Sequence, residues 1–249
     1  MFSNGLALAA LLPLALLANG IKYPDEDGKY WIAGDGLEAA FVPYRAAITN
    51  LLIDDQYGVS RDIVAGFDKA SSYSTDKAHP HYSSIVGRYT NRVRNSTFEM
   101  DSKKYHITPN DHPTKEAPEG ADTLHRGPDG WDYQNFTVVS HTDSSITFSI
   151  VDPNGKEGFP GEVISYITYT LTGKNWDMRI VALATTEKTP IMPSSHVVWN
   201  LDGFTNNETN TISDHTLHLP YSGQRIGVNN ILVPTGDIIP VTKGSANDF

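Results

Sequence analysis

The chain contains no cysteine, so disulfide staples, thiolate nucleophiles and thiolate metal ligands are all excluded. At 249 residues it is long enough to bury a core without staples. Basic residues are scarce: 19 Lys and Arg face 29 Asp and Glu, for a net charge of -10. No basic stripe is present to neutralise phosphates, which excludes a nucleic-acid partner. Two catalytic signatures are also missing. Without a Gly-x-Ser-x-Gly elbow a serine hydrolase of the α/β type is disfavoured. Without a Gly-x-x-x-x-Gly-Lys-Ser/Thr loop there is no cradle for nucleotide phosphates. Beyond residue 20 no stretch sustains a 3.6-residue apolar period, so long amphipathic helices are not expected.

The first twenty residues lack any charged side chain. Leu6–Leu17 is an apolar run of signal-peptide length, too short to span a bilayer, and Ala18-Asn19-Gly20 offers small residues for cleavage. Residues 1–20 are therefore expected to be a signal peptide, with the mature domain starting at residue 21 and no membrane association after cleavage. Three sequons agree with an extracellular destination: Asn95-Ser96-Thr97, Asn135-Phe136-Thr137 and Asn207-Glu208-Thr209. The expectation is a secreted protein glycosylated at Asn95, Asn135 and Asn207.

The remaining texture is β. Ala39–Val42, Ala47–Ile53 and Ile63–Ala65 are short apolar runs bounded by turn residues. Thr97–Met100 and Tyr105–Ile107 flank the turn Asp101–Lys104 and form a hairpin. The middle of the chain gives the clearest signal. Val163, Ser165, Ile167, Tyr169 and Leu171 share one strand face; Trp176, Met178, Ile180, Ala182 and Ala184 share another. Ile146, Phe148 and Ile150 alternate before them, and Leu217 with Leu219 marks a further short strand. Residues 69–84 read as loop. Successive strands joined by tight turns predict a single antiparallel β-sandwich.

Four polar groups fall where loops meet strands. His196 follows a segment punctuated by Pro190 and Pro193, and Val197, Val198 and Trp199 after it favour strand. His125 sits before the turn Pro128-Asp129-Gly130. Asn91 and Arg92 lie in an arginine-rich stretch whose default reading is a solvated face. Imidazole titrates near neutrality, so each histidine can give or take a proton, although a lone histidine is more often without chemistry. His79 and His81 lie two apart, but no third ligand is evident. No metal or other cofactor is expected.

Taken together and in order, these motifs resemble the aldose 1-epimerase (galactose mutarotase) family. Gly87-Arg88-Tyr89-Thr90-Asn91-Arg92-Val93 is similar to the family's Gly-Arg-x-x-Asn-Arg-Ile. Asn110…Leu124-His125 is similar to its Asn…Leu-His-Gly-Gly. Asn154-Gly155-Lys156-Glu157-Gly158-Phe159-Pro160-Gly161 resembles Asp-Gly-x-Glu-Gly-Tyr/Phe-Pro-Gly, and His196-Val197-Val198-Trp199-Asn200-Leu201 resembles His-x-Tyr-Phe-Asn-Leu. Tyr169-Thr170-Leu171, Thr189-Pro190 and Pro234-Thr235-Gly236 also match. The resemblance runs from Gly36 to Phe249. It implies a galactose mutarotase-like supersandwich with a sugar cleft on one face. It implies interconversion of the α and β anomers of a free hexose, glucose or galactose, by acid–base ring opening. His196 would be the general acid at the ring oxygen. Asn91, Arg92 and His125 would hold substrate hydroxyls, and the backbone at Val197 and Val198 would line the sugar. The substrate partner is then a monosaccharide, and a monomer is expected.

The chain departs from the family pattern at three places. Arg126 stands where glycine follows the histidine. Ser195 stands where asparagine precedes the acid histidine, and Val197-Val198-Trp199 is a divergent triplet. The family's general-base glutamate has no counterpart in a matching motif. These features point to a secreted, fungal-like member whose C-terminal part is missing, so that residues 21–249 form an incomplete domain and the base is absent. Two rivals remain open: an epimerase of phosphorylated hexoses, for which Arg88, Arg94 and Arg126 would supply cations, and a non-catalytic carbohydrate-binding sandwich.

Overall fold

A computed structural model describes residues 22–78, 81–220 and 223–248. The expected signal peptide and His79 lie outside the described residues. The strands are β1 (Tyr30–Gly34), β2 (Leu37–Val42), β3 (Ala47–Asp54), β4 (Ser60–Asp62), β5 (Ile85–Val86), β6 (Thr97–Met100), β7 (Lys103–His106), β8 (Thr137–His141), β9 (Ser145–Asp152), β10 (Val163–Thr172), β11 (Asn175–Ala184), β12 (Ser194–Ser195), β13 (Gln224–Val228) and β14 (Pro234–Pro240). Among the described residues one short α-helix, α1 (Ala70–Thr75), joins them, along with three single-turn 3-10 helices.

Two four-stranded antiparallel sheets dominate, in the orders β1-β2-β3-β4 and β11-β10-β9-β8. Their inner faces meet in one apolar core: Ile32, Ala39, Phe41, Ile48 and Leu51 from the first sheet pack with Ile146, Phe148, Val163, Ile167, Tyr169 and Leu171 from the second. The molecule is an all-β sandwich, as the strand periodicity predicts. The period-2 pattern of β10 translates directly into burial, with Val163, Ser165, Ile167, Tyr169 and Leu171 inside and the intervening residues more exposed. Its neighbour β11 alternates in step and half-buries Trp176, Met178, Ile180, Ala182 and Ala184. Phe41 stacks on Tyr169 with ring centroids 4.4 Å apart, and the Tyr169 hydroxyl donates to the Ala46 carbonyl at 2.9 Å. The aromatic ring thus fills the core while its polar tip stays bonded.

Several local expectations change. Residues 63–65 do not form a strand; pairing with β3 is made by Ser60–Asp62. The Asp62 carboxylate then accepts the backbone N–H groups of both Leu51 and Val64, while the Ile63 N–H still reaches the Leu51 carbonyl. The loop 69–84 contains α1, whose Tyr73 is buried. The β6–β7 turn is only Asp101-Ser102, both at positive φ (51° and 61°), as a two-residue type I′ hairpin requires. Lys103 and Lys104 therefore belong to a strand. Leu217 and Leu219 are exposed and lie in no strand. The strand near His196 precedes it as β12, and beyond it Trp199 makes a single bridge to Val64.

Candidate active site

The site is assembled where β5, β12 and the stretch after Gly87 meet. β12 pairs with β5, matching Ser194 to Val86 and Ser195 to Ile85. The His196 N–H then donates to the Ser84 carbonyl at 2.8 Å. His196 is thus pinned at the rim of a short ladder, with its side chain exposed. Pro193 has no N–H to extend the ladder backwards. Next to it, Thr90 N–H donates to Met192 C=O (3.0 Å) and Met192 N–H to Arg88 C=O (2.7 Å). That exchange brings Thr90, Asn91 and Arg92 beside Met192–Ser194.

His125 is held against the same stretch. Its backbone N–H and its ring Nδ1 both reach the Thr90 carbonyl, at 3.2 and 2.7 Å. A carbonyl only accepts, so Nδ1 carries the proton and Nε2 is left with its lone pair. Burial, reinforced by the neighbouring His81, pushes the His125 imidazole down to about 4. It is therefore neutral near pH 7 and presents a hydrogen-bond acceptor.

His81 completes the wall. Its Nδ1 lies 2.5 Å from Oδ2 of Asp132, a carboxylate that is fully buried. Ring centroids separate His81 from His125 by 4.7 Å, His81 from His196 by 5.9 Å and His125 from His196 by 5.7 Å. Two glycines permit this closeness. A side chain at Gly87 would strike the Trp131 ring at 2.7 Å, and one at Gly130 would meet the His125 carbonyl at 2.3 Å and Asp132 Oδ1 at 2.7 Å. The turn bearing Trp131 and Asp132 docks directly onto the His125 loop because neither position carries a Cβ.

The resulting cleft has a volume of about 580 Å³ and is lined by His81, Thr90, Asn91, Arg92, Leu124, His125, Met192, Pro193, Ser194 and His196. That size suits a small-molecule ligand. Arg92 Nε donates to Asp111 Oδ2 at 2.7 Å, which fixes the guanidinium at the rim. Among the described residues no group of three His, Asp or Glu side chains is arranged to hold a metal ion.

Four of the residues named from the sequence, Asn91, Arg92, His125 and His196, come together here. Val197 and Val198 do not line the cleft. The Val197 side chain packs against the core, and the Val198 backbone is engaged with Ser83 Oγ and Ala65 N–H. His81, Asp132 and Met192 went unrecognised as site residues. In the sequence His81 stands out only for its spacing from His79, which suggests metal binding instead. The arginines offered for a phosphate are committed elsewhere. Arg88 and Arg126 are fully buried and both pair with Asp152, and the exposed Arg94 is not a lining residue.

The family described as aldose 1-epimerase matches residues 30–249. A probable aldose 1-epimerase of Arthroderma benhamiae is 39% identical over 221 residues, covering 84% of this chain and 48% of its own length. The galactose mutarotase of Homo sapiens is 31% identical over 223 residues, covering 89% of this chain and 60% of its own length. The chain spans about half the length of the fungal relative. In three dimensions it is similar to the GalM/aldose epimerase homologue of C. elegans, with a TM-score of 0.75 and 31% identity over 87% of this chain and 62% of that one. The sandwich is therefore of the galactose mutarotase type.

Proposed function

The chain belongs to the aldose 1-epimerase family, and from that premise we propose that it interconverts the α and β anomers of a free hexose, with glucose and galactose as the substrates to try first. The observation that carries this reading is the convergence of His125, His196, Asn91 and Arg92 on one cleft of small-molecule size. Ring opening moves one proton from the C1 hydroxyl and delivers one to the ring oxygen. His196, exposed at the rim, is the donor to the ring oxygen. His125 accepts a hydrogen bond from a sugar hydroxyl through Nε2, while Arg92 and Asn91 supply directional contacts to others. General acid–base assistance contributes about 10²–10⁴-fold per positioned group. Pairing of Arg88 and Arg126 with Asp152 favours an unphosphorylated sugar over a hexose phosphate.

The same reading includes an extracellular location and a monomeric protein. All three sequon asparagines, Asn95, Asn135 and Asn207, are exposed, which supports their use as glycan acceptors. A fall in mass on endoglycosidase treatment of secreted material would bear out the glycans; an unchanged mass would count against them.

The functional test is polarimetry of freshly dissolved α-glucose and α-galactose. The protein should speed equilibration well beyond buffer. His196→Ala should lower the rate by about 10²–10⁴-fold with little change in folding, because the exposed imidazole adds little to packing. Sugar binding without faster equilibration would instead identify a carbohydrate-binding sandwich.

A further inference from the structure

We infer that Asp111 is a positioning residue for sugar binding: it holds Arg92 so that the rest of the guanidinium stands ready for the substrate. This rests on the proposed sugar cleft and deepens it. Asp111 is not among the motif residues that carry the family resemblance. Arg92 lines the cleft. Its Nε donates to Asp111 Oδ2 at 2.7 Å. Among the described residues its two terminal amino groups make no hydrogen bond, so they are the donors left for a ligand. His112 Nδ1 lies 3.0 Å from the same Asp111 oxygen but is not hydrogen-bonded to it. Arg92 is therefore the donor that this oxygen receives.

The backbone fixes the carboxylate from behind. Val93 and Thr123 exchange hydrogen bonds at 2.8 and 3.1 Å, and Asp111 and Asp122 exchange theirs at 3.0 and 3.1 Å. Asp122-Thr123 thus lies between the Arg92 stretch and Asp111, and joins two side chains 19 positions apart. Asn110 adds a clamp: its Oδ1 accepts the Leu124 N–H at 2.8 Å and its Nδ2 donates to the Leu124 carbonyl at 3.0 Å. Gly120 packs so closely that a Cβ there would lie 2.6 Å from the Asp111 nitrogen. None of these contacts uses the Asp111 side chain, so replacing that side chain leaves them in place. What the carboxylate adds is its grip on Arg92. The pair is still in reach of water, with side-chain exposures of 21% and 19%, so it contributes little to folding. A loose arginine loses much rotamer freedom when it closes on a ligand. Asp111 has this arginine ordered before the sugar arrives, and that benefit falls on affinity.

The test is a double-mutant cycle in the whole protein, with Asp111→Ala, Arg92→Ala and the two combined, and Asp111→Asn beside them. Polarimetry of α-galactose gives kcat and KM, amide NMR gives the Kd for D-galactose, and chemical denaturation gives stability. Asp111→Ala should raise KM and Kd about 3–10-fold with kcat within about twofold of wild type. Asp111→Asn keeps an acceptor oxygen for Nε and should recover part of that loss. In the Arg92→Ala background Asp111→Ala should add nothing further. The denaturation midpoint of Asp111→Ala should stay close to wild type. Unchanged affinity, an equal loss with and without Arg92, a fall in kcat in place of affinity, or a variant that fails to fold each overturns the assignment. The sugar reading survives all of these as long as the wild type binds galactose. Binding without faster equilibration fails the ring-opening reading alone, because Kd still decides the role of Asp111. A wild type that does not bind galactose overturns both.

Discussion

Two short stretches of sequence each divide their residues between two very different polar clusters. From Gly87–Arg92, Arg88 turns into the interior while Asn91 and Arg92 reach the cleft. From His125-Arg126, the histidine faces the cleft and the arginine goes inside. The interior cluster centres on the Asp152 carboxylate. Asp152 Oδ2 accepts from Arg88 Nε at 2.8 Å and from Trp131 Nε1 at 3.0 Å, Arg126 reaches Oδ1 at 2.5 Å, and Arg88 donates further to the carbonyls of Pro160 and Gly161. The cleft cluster leaves imidazole edges unfilled. In the interior the Arg88 guanidinium spends its donors on the fold, whereas Arg126 bonds through Nη2 and keeps Nε and Nη1 buried without partners among the described residues; in the cleft acceptors are held ready. Adjacent residues in a motif can therefore serve structure and chemistry separately. The Arg88–Asp152–Arg126 cluster ties β9 to the loops that carry the histidines.

The comparison breaks most visibly at Asp152. Asp152→Ala leaves two buried guanidiniums without their carboxylate and should cost about 3–5 kcal/mol, enough to unfold much of the protein. Chemical denaturation would measure it, and a variant within about 1 kcal/mol of wild type would show that the interior cluster is not what holds these loops. Pairing that result with His196→Ala sharpens the contrast: the interior change should remove stability and the cleft change should remove rate.

A smaller effect is expected from pH. The folded protein keeps His125 neutral down to about 4, whereas the unfolded chain takes up its proton near 6.5. Above that upper value neither state binds the proton, so the contribution is fully present. As pH falls towards about 4 the unfolded state gains a proton that the folded state refuses, and stability falls. The loss is on the order of 2 kcal/mol. Denaturation midpoints at pH 7 and pH 4.5, compared with those of His125→Gln, check it: the variant should be less sensitive to pH over this interval, and an identical slope would contradict the burial argument.

The smallest effect concerns Arg126. Its backbone has φ of 76°, a region that favours glycine. Arg126→Gly relieves roughly 1 kcal/mol of backbone strain while removing one guanidinium from an aspartate that keeps Arg88 and Trp131. Burial also pushes the Arg126 guanidinium down to about 10. The net change should be well below that of Asp152→Ala, and a loss as large as for Asp152→Ala would show that the two arginines are not interchangeable supports.

The sequence made some of this legible. β10 and β11 were readable because ten-residue alternation is bounded by turns around Gly173. His125, His196, Asn91 and Arg92 were readable through motif resemblance, whereas Val197 and Val198 fell beyond the cleft because Val197 packs on the core and the Val198 backbone is bonded to Ser83 and Ala65. The His81–Asp132 pair was not readable. Its members are 51 positions apart and meet only because Gly87 and Gly130 let Trp131 and the His125 loop close together. Nor could an arginine-rich stretch announce that Arg88 would be buried. Its aspartate lies 64 residues downstream, so the default of a solvated charge run failed there.

The central claim is that the histidine cleft, and not the charged interior, meets the sugar. A two-dimensional amide NMR titration with D-galactose tests it most directly. Resonances of Thr90, Asn91, Arg92, Leu124, His125, Ser194 and His196 should shift in a saturable way, while those of Asp152, Pro160-flanking residues and the β10–β11 hairpin stay in place. Saturable shifts centred away from those cleft residues, or none at high sugar concentration, would contradict the account.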